Sequence, residues 1–294
     1  MSEIETGFIG LGQMGGPMAT NIAQGGYTMH CFDAAGTQER MPDGASAAGS
    51  TANVAARAET VFLSVPDGKA SIAVAREIAA APEKRVSVVV DLSTVGPAAS
   101  REAAAILEDA GIIYVDAPVS GGAAGAKAAT ISLMWAGPRD QYERHLDLLK
   151  SFAKNPFLVG DKPGQGQTVK LVNNFLSATA MAATSEAILY GLSQGLDLKT
   201  MLDVVHVSSG QNTAVSDKFP KRILTESYDA GFFTKLLNKD VQLFLANARD
   251  AGTPDHVASA VGDIWQGLDD IDPDGDFTRV FEFIRDGEVG SAKE

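Results

Sequence analysis

The chain has 294 residues, enough for two domains, and 45% of its side chains are hydrophobic, so a sizeable core can be buried. Against 24 basic side chains stand 37 acidic ones, and a formal net charge of -13 repels nucleic acid and anionic lipid, so neither is an expected partner. Cys31 is the single cysteine, which excludes an intramolecular disulfide; in its apolar run it is expected to be a buried, inert thiol. Met1 to Thr6 carry acids rather than a basic start and an apolar stretch, so no signal peptide is expected. No apolar run approaches bilayer length, and the expected location is cytoplasmic.

Along the first half, short β-type runs alternate with Ala-rich helical stretches. The runs are Gly7 to Gly10, Thr28 to Phe32, Thr60 to Val65, Val86 to Asp91 and Ile112 to Asp116. Between them, helices are predicted over Gly15 to Gln24, Lys69 to Ala81 and Pro97 to Ala110. This alternation argues for βαβ units in a mostly parallel sheet, and a nearly continuous apolar run such as Val86 to Asp91 implies a sheet covered on both faces. The pattern changes at the glycine-rich stretch Gly160 to Gly166, which reads as a loop or hinge. Beyond it only helices are expected: Gln167 to Gln194, Lys199 to Val207, Thr234 to Asp250, His256 to Leu268 and Arg279 to Arg285. A helix as long as the first of these suggests a shared spine or an intersubunit contact. The domain boundary is therefore expected between residues 163 and 164, with 1-163 as an α/β domain and 164-294 as an all-α domain.

The first β-run leads into Gly10-Leu11-Gly12-Gln13-Met14-Gly15, the G-x-G-x-x-G spacing, with a helix after it. In this setting Gly10 permits the tight turn, Gly12 lets backbone approach a pyrophosphate, and Gly15 lets helix pack on strand. The N–H groups that open the helix then face the phosphates, which predicts a Rossmann dinucleotide site. Asp33 ends the next β-run, where a carboxylate accepts hydrogen bonds from the adenosine ribose and repels a 2′-phosphate. Ala34 and Ala35 follow it, with Arg40 some way off, so NAD is expected as the cofactor ahead of NADP.

Four segments carry a resemblance. They are Gly7 to Asn21; Asp116 to Gly122, extended by Gly125 and Ala126; Gly164-Gln165-Gly166 through Lys170 to Asn173 and Asn174; and Lys239-Asp240 within Asn238 to Leu243. In order and spacing they resemble the β-hydroxyacid dehydrogenase family, over nearly the whole chain. The resemblance implies a Rossmann domain followed by an all-helical one, and a homodimer or homotetramer with a small carboxylate substrate. It implies Lys170 as the catalytic group, joined by Asn174, with Ser120, Gly121 and Gly122 holding the substrate carboxylate. It also places Thr94 near the nicotinamide ribose, Val65 and Pro66 along the cofactor, and Lys239 over the cofactor near the active site.

The residues by themselves point the same way. Lys170, Asn173 and Asn174 stand at i, i+3 and i+4 of one predicted helix and project to one side. A lysine ammonium donates a proton to a carbonyl oxygen in reduction; in oxidation it must start neutral, which burial or a neighbouring Lys239 favours. Backbone N–H groups in the Ser120 to Gly122 turn suit a carboxylate. The resemblance implies a reaction that interconverts a small 3-hydroxy acid and its semialdehyde. Imine reduction on the same scaffold and non-catalytic dinucleotide binding are the alternatives, and the presence of Lys170, Asn174 and Ser120 weighs against both.

The sequence departs from the family pattern where Ala129 replaces a glycine before Thr130, and Lys127 adds a charge, expected to be solvated, to the same loop. Asp270 to Gly275 imitates the start of a calcium loop, but Phe281 occupies the twelfth position, so an acidic turn is expected and no metal. His206 among valines is expected to be structural, and Trp135 and Trp265 are expected in core or interface. Ser208, Ser209, Gln211, Asn212 and Phe232 are open candidates for a substrate pocket.

Overall fold

The structure is a computed structural model that describes residues 4–287. The chain folds as two compact units, Met1–Lys170 and Leu171–Glu294.

The first unit contains, in chain order, β1 (Thr6–Ile9), α1 (Gly15–Gln24), β2 (Met29–Phe32), β3 (Ser46–Ala47), α2 (Thr51–Arg57), β4 (Thr60–Leu63) and α3 (Gly68–Ala79). There follow β5 (Val88–Asp91), α4 (Pro97–Asp109), β6 (Ile113–Asp116), β7 (Val119–Ser120), α5 (Gly122–Lys127), β8 (Ile131–Ala136), α6 (Arg139–Phe152) and β9 (Ala153–Gly160). The strands form one sheet in the order β3-β2-β1-β4-β5-β6-β8-β7, with β9 alongside β8. Strands β1 to β6 pair in parallel, β8 runs antiparallel to β6 and β7, and β9 runs parallel to β8. The strand order reverses at β1, between β2 and β4, and a crevice for a ligand opens at such a switch point.

Period-two alternation accounts for the continuous apolar strands. Phe8, Phe62, Val88, Val90 and Val115 face a core shared with Met18 and Ile22 of α1 and Leu148, Leu149 and Phe152 of α6. Ile9, Val61, Leu63, Val89 and Tyr114 face a second core shared with Val54 of α2, Ile78 of α3 and Leu107 of α4. Consecutive valines of β5 thus stabilise opposite faces of the sheet, each contributing about 1.5–3 kcal/mol by its burial. Local caps set the helix starts: Ser50 Oγ accepts from Asn53 N (3.2 Å), Asp67 Oδ1 accepts from Ala70 N (2.9 Å), and Pro97 opens α4. Cys31 is fully buried, and burial pushes its thiol up to about 12. Trp135 is fully buried in the first core.

The sequence pattern names no element between 117 and 159, where the structure has two further strands of the sheet, β7 and β8, a third in β9, and helices α5 and α6. Helix α6 is amphipathic, with His145, Leu148, Leu149 and Phe152 buried beneath a charged outer face. Helix α7 (Gln165–Ser193) has 29 residues and crosses from the first unit into the second. At about 1.5 Å per residue it spans roughly 40 Å.

The second unit continues with α8 (Leu198–His206), a π-helix over Ala214–Ile223, α9 (Thr234–Asp250), α10 (His256–Ile271), a 3₁₀ turn at Phe277–Arg279 and α11 (Val280–Asp286). Its core gathers Met181, Phe219, Val241, Trp265, Leu268 and Val280, and Trp265 Nε1 donates to Ala178 O (3.3 Å). No helix among the described residues is long and apolar enough to cross a membrane.

His206 is exposed at the end of α8, as are Val204 and Val207 beside it. Asn212 Oδ1 accepts from Ala214 N and Val215 N (2.9 and 3.1 Å) and so opens the π-helix, while Ser208 Oγ closes α8 on Val204 O (2.7 Å). Phe232 is half-buried, edge-on to Phe277. The acids of the calcium-like turn are engaged by protein groups: Asp270 with Gln266 Nε2 (2.7 Å), Asp272 with Arg279 (3.8 Å) and Asp274 with Lys235 (2.5 Å). Among the described residues no His, Cys, Asp and Glu side chains group in threes to hold a metal.

Candidate active site

The turn from β1 into α1 explains its glycines by close approach. Gly10 has φ +92°, and a Cβ on it would lie 2.1 Å from Ser64 O; one on Gly15 would lie 1.9 Å from Gly10 O. A Cβ on Gly12 would meet nothing within 4 Å, so this backbone faces open space. Leu11 is buried, Gln13 is exposed, and Met14, half-buried, packs on the first core. No side chain caps the start of α1. An uncapped helix start beside an open glycine backbone fits the diphosphate of a dinucleotide.

Asp33 stands just beyond β2. Its Oδ2 accepts from Leu11 N at 2.6 Å and its Oδ1 from Ala35 N at 2.8 Å, which fixes the carboxylate against the glycine turn. Sequence distance holds Arg40 apart from this position. The structure corrects this: Thr37 Oγ1 accepts from Asp33 N (2.9 Å), the loop folds back, and Arg40 Nη1 comes within 3.3 Å of Asp33 Oδ1. The arginine remains 42% exposed against 9% for the aspartate, so the pair is only partly screened from solvent.

The loops after β4 and β5 are tied together beneath the positions assigned to the cofactor. Val65 N donates to Ser93 Oγ (2.8 Å), with Pro66 exposed beyond it, and Ser93 N donates to Asp91 Oδ1 (2.9 Å). Thr94, next in the chain, is half-buried. Asp91 is wholly buried, receiving also Ser71 Oγ (2.5 Å) and Tyr114 OH (3.2 Å); burial pushes its carboxyl up despite those donors.

Asp116 lies opposite Asp91 on the next strand. It too is fully buried, and accepts from Gly164 N (3.0 Å) and Gln167 N (2.8 Å) at the start of α7. Burial raises its carboxyl to about 7. The first turn of α7 rests so closely on β6 and β8 that a Cβ on Gly166 would lie 2.5 Å from Met134 O and 2.8 Å from Asp116 Oδ2. Gly164, with φ +96°, makes the turn that leads there. The segment Gly164-Gln165-Gly166 is thus a docking device for the helix that carries Lys170.

Ser120 ends β7, paired with Ser132 of β8. Gly121 (φ +139°) and Gly122 (φ +64°) turn the chain into α5, which no side chain caps, and around Gly122 a Cβ would meet open space. Lys127 is exposed at the end of α5, as expected.

Lys170 is 8% exposed and Asn174 7%, one turn apart on the buried face of α7. Asn173 is exposed and turns its Nδ2 back to Asn174 Oδ1 (3.0 Å) rather than sharing that face. Asn174 Nδ2 donates to Asp240 Oδ2 (2.6 Å), and Asp240 Oδ1 lies 3.4 Å from Lys239 Nζ. The structure therefore joins Asn174 and Lys239 through one buried carboxylate. Asp91, Asp116, Gln167 and Asp240 carry this framework, and the sequence reading assigns none of them a role. The signal available is an acid at the end of an apolar strand (Asp91, Asp116) or inside an apolar helix face (Asp240), where an unpaired charge is costly.

Comparison with known proteins gives two family models that together span most of the chain. Residues 5–160 match the NAD binding domain of 6-phosphogluconate dehydrogenase, and residues 164–284 match the NAD-binding domain of NADP-dependent 3-hydroxyisobutyrate dehydrogenase. The chain is 34% identical over 272 residues to 2-(hydroxymethyl)glutarate dehydrogenase of Eubacterium barkeri, covering 90% of this chain and 89% of that one. It is also 34% identical to 3-hydroxyisobutyrate dehydrogenase of Pseudomonas aeruginosa, over 84% of this chain and 87% of that one. Among solved structures, Mycobacterium tuberculosis 3-hydroxyisobutyrate dehydrogenase with L-serine superposes with a TM-score of 0.88 at 28% identity, over 96% of this chain and 99% of the other. With its NAD(P)-binding Rossmann domain and helical second domain, this chain belongs to the β-hydroxyacid dehydrogenase family of oxidoreductases.

Proposed function

We propose that the protein interconverts a small 3-hydroxy acid and its semialdehyde, with NAD preferred over NADP and Lys170 as the proton-transfer group. The observation that carries the reading is Lys170 itself, a lysine almost withdrawn from water on a helix docked to the sheet by buried hydrogen bonds. A lysine is costly to bury without a polar task.

The nicotinamide cofactor, when bound, supplies hydride acceptance or donation. Gly10, Leu11, Gly12, Gln13, Met14 and Gly15 would cradle its diphosphate, Asp33 its adenosine ribose, and Val65, Pro66, Thr94 and Lys239 the remainder. In oxidation, neutral Lys170 Nζ takes the proton of the substrate hydroxyl as the C–H electron pair leaves the same carbon. In reduction, the ammonium returns that proton to the carbonyl oxygen and stabilises charge developing on it. Asn174, held by Asp240, orients the reacting oxygen or Lys170, and the Ser120-Gly121-Gly122 turn binds the carboxylate. Asp33 supports NAD, and Arg40 beside it tempers the repulsion of a 2′-phosphate, so NADP is the weaker cofactor rather than an excluded one. The apolar side chains Val169, Val172, Leu176 and Tyr190, exposed along α7, support a homodimer or homotetramer.

The test follows reduced-nicotinamide absorbance with a panel of 3-hydroxy acids, NAD and NADP in parallel, for wild type and Lys170→Ala. Turnover that falls about 10²- to 10⁴-fold in the variant is the expected result. Tight NAD binding with no acid turned over refutes the dehydrogenase reading.

A further inference from the structure

Gln167 is fully buried, three residues before Lys170, and every polar group of its side chain is engaged. Its Oε1 accepts from Val95 N (2.9 Å) and Gly96 N (3.2 Å), and its Nε2 donates to Ser93 O (3.0 Å). Its backbone N–H goes to Asp116 Oδ2 (2.8 Å). Ser93 in turn receives Val65 N on its hydroxyl (2.8 Å) and gives its own N–H to Asp91 (2.9 Å). One unbroken buried network therefore runs from the loop at Val65, through the loop holding Thr94, to the helix turn that precedes Lys170. All of it lies within the first unit.

We infer that Gln167 is a positioning residue for hydride transfer: it locks the helix turn bearing Lys170 to the two loops assigned to the cofactor, one of which carries Thr94, assigned to the nicotinamide ribose. The proton-transfer nitrogen and the cofactor's reacting end are thereby held on one rigid frame. Three features of the structure support this role. Val95 and Gly96 present two N–H donors side by side and Ser93 presents a carbonyl, and the amide meets them with an oxygen that accepts twice and an NH2 that donates. Gly166 brings the helix so close to β6 and β8 that the turn has no room to shift toward the sheet if the amide is lost. Asp116 secures the backbone of the same turn, leaving Gln167 to set its relation to the loops.

The inference rests on the role proposed for Lys170, and its test separates the two. Gln167→Met keeps the length of the side chain and removes all three hydrogen bonds. Gln167→Glu keeps the acceptor for Val95 and Gly96 and loses the donor to Ser93 O. Hydrogen exchange is measured on the protein without cofactor over residues 91–97 and 164–170, cofactor affinity is read from reduced-nicotinamide fluorescence, and kcat and KM are measured with the acid that wild type turns over best. For Gln167→Met the expected result is faster exchange in both segments, cofactor affinity within about threefold of wild type, and kcat lowered about 10- to 100-fold. Gln167→Glu should fall between the two. Wild-type exchange and kcat in Gln167→Met overturn the inference, as does a loss confined to cofactor affinity. If Gln167→Met does not fold, a folded Gln167→Leu protein, which also lacks all three hydrogen bonds, with wild-type kcat and exchange overturns it equally. Wild type inactive on every acid sinks the proposed function instead, while the exchange of the two segments still reports whether the lock exists.

Discussion

Asp116 offers the sharpest test of the energetics beneath the site. Its carboxyl is raised from the ordinary 3.8 to about 7, mainly by burial, while the N–H groups of Gly164, just before α7, and of Gln167 within it partly offset the cost. The folded protein therefore holds a proton there between about pH 4 and 7 that the unfolded chain releases. This contribution to stability is fully present below 3.8 and is lost as pH rises toward 7. At about 1.36 kcal/mol per pH unit the loss approaches roughly 4 kcal/mol. Asp116→Asn removes the titration but sets an amide N–H against one of these two donors, at a cost of about 1–3 kcal/mol at every pH. The variant should therefore be less stable than wild type at pH 5, and the deficit should shrink or reverse by pH 8. Asp91, opposite on β5, and Tyr114 are the buried titratable neighbours and interact with Asp116, so the difference reports the loss of Asp116 together with its coupling to them. Urea unfolding of both proteins at pH 5, 6, 7 and 8 makes the measurement. A stability difference that stays constant across this range refutes the reasoning.

Two further outcomes follow from local geometry. Ala129 has φ +53° immediately after α5, where Thr130 N closes the helix on Gly125 O at 2.9 Å, a position that favours glycine. Ala129→Gly should raise the urea midpoint, with a gain in stability of up to about 1 kcal/mol after the greater chain entropy of glycine is set against the relieved strain; a lowered midpoint refutes the strain argument. Arg40→Ala removes the cation 3.3 Å from Asp33 at a partly exposed position, so discrimination against NADP should increase about fivefold, near 1 kcal/mol, with NAD affinity little changed. Equal losses for both cofactors in binding titrations count against any role for Arg40 at the 2′-position.

Much of this protein is written in local pattern. Strands β1, β2, β4, β5 and β6 and the helices between β1 and β2 and after β4 and β5 follow from apolar periodicity and from glycine, proline and caps close in sequence, as do α7 to α11. The glycine turn and Asp33 are legible because a turn, a helix start and a strand end are local events. Helix α6 is hidden by its charged outer face, and β7 to β9 by their shortness and by an antiparallel return that only the assembled sheet supplies. Arg40 reaches Asp33 because a loop folds back. Asp116 and Gln167 find partners 51 and 72 residues away. A buried polar group takes its meaning from whichever donor or acceptor the fold carries to it, and chain order does not contain that pairing. The sequence alone therefore determined the family and the order of the α/β and helical parts. The tertiary structure alone decided how the helix bearing Lys170 is held to the sheet.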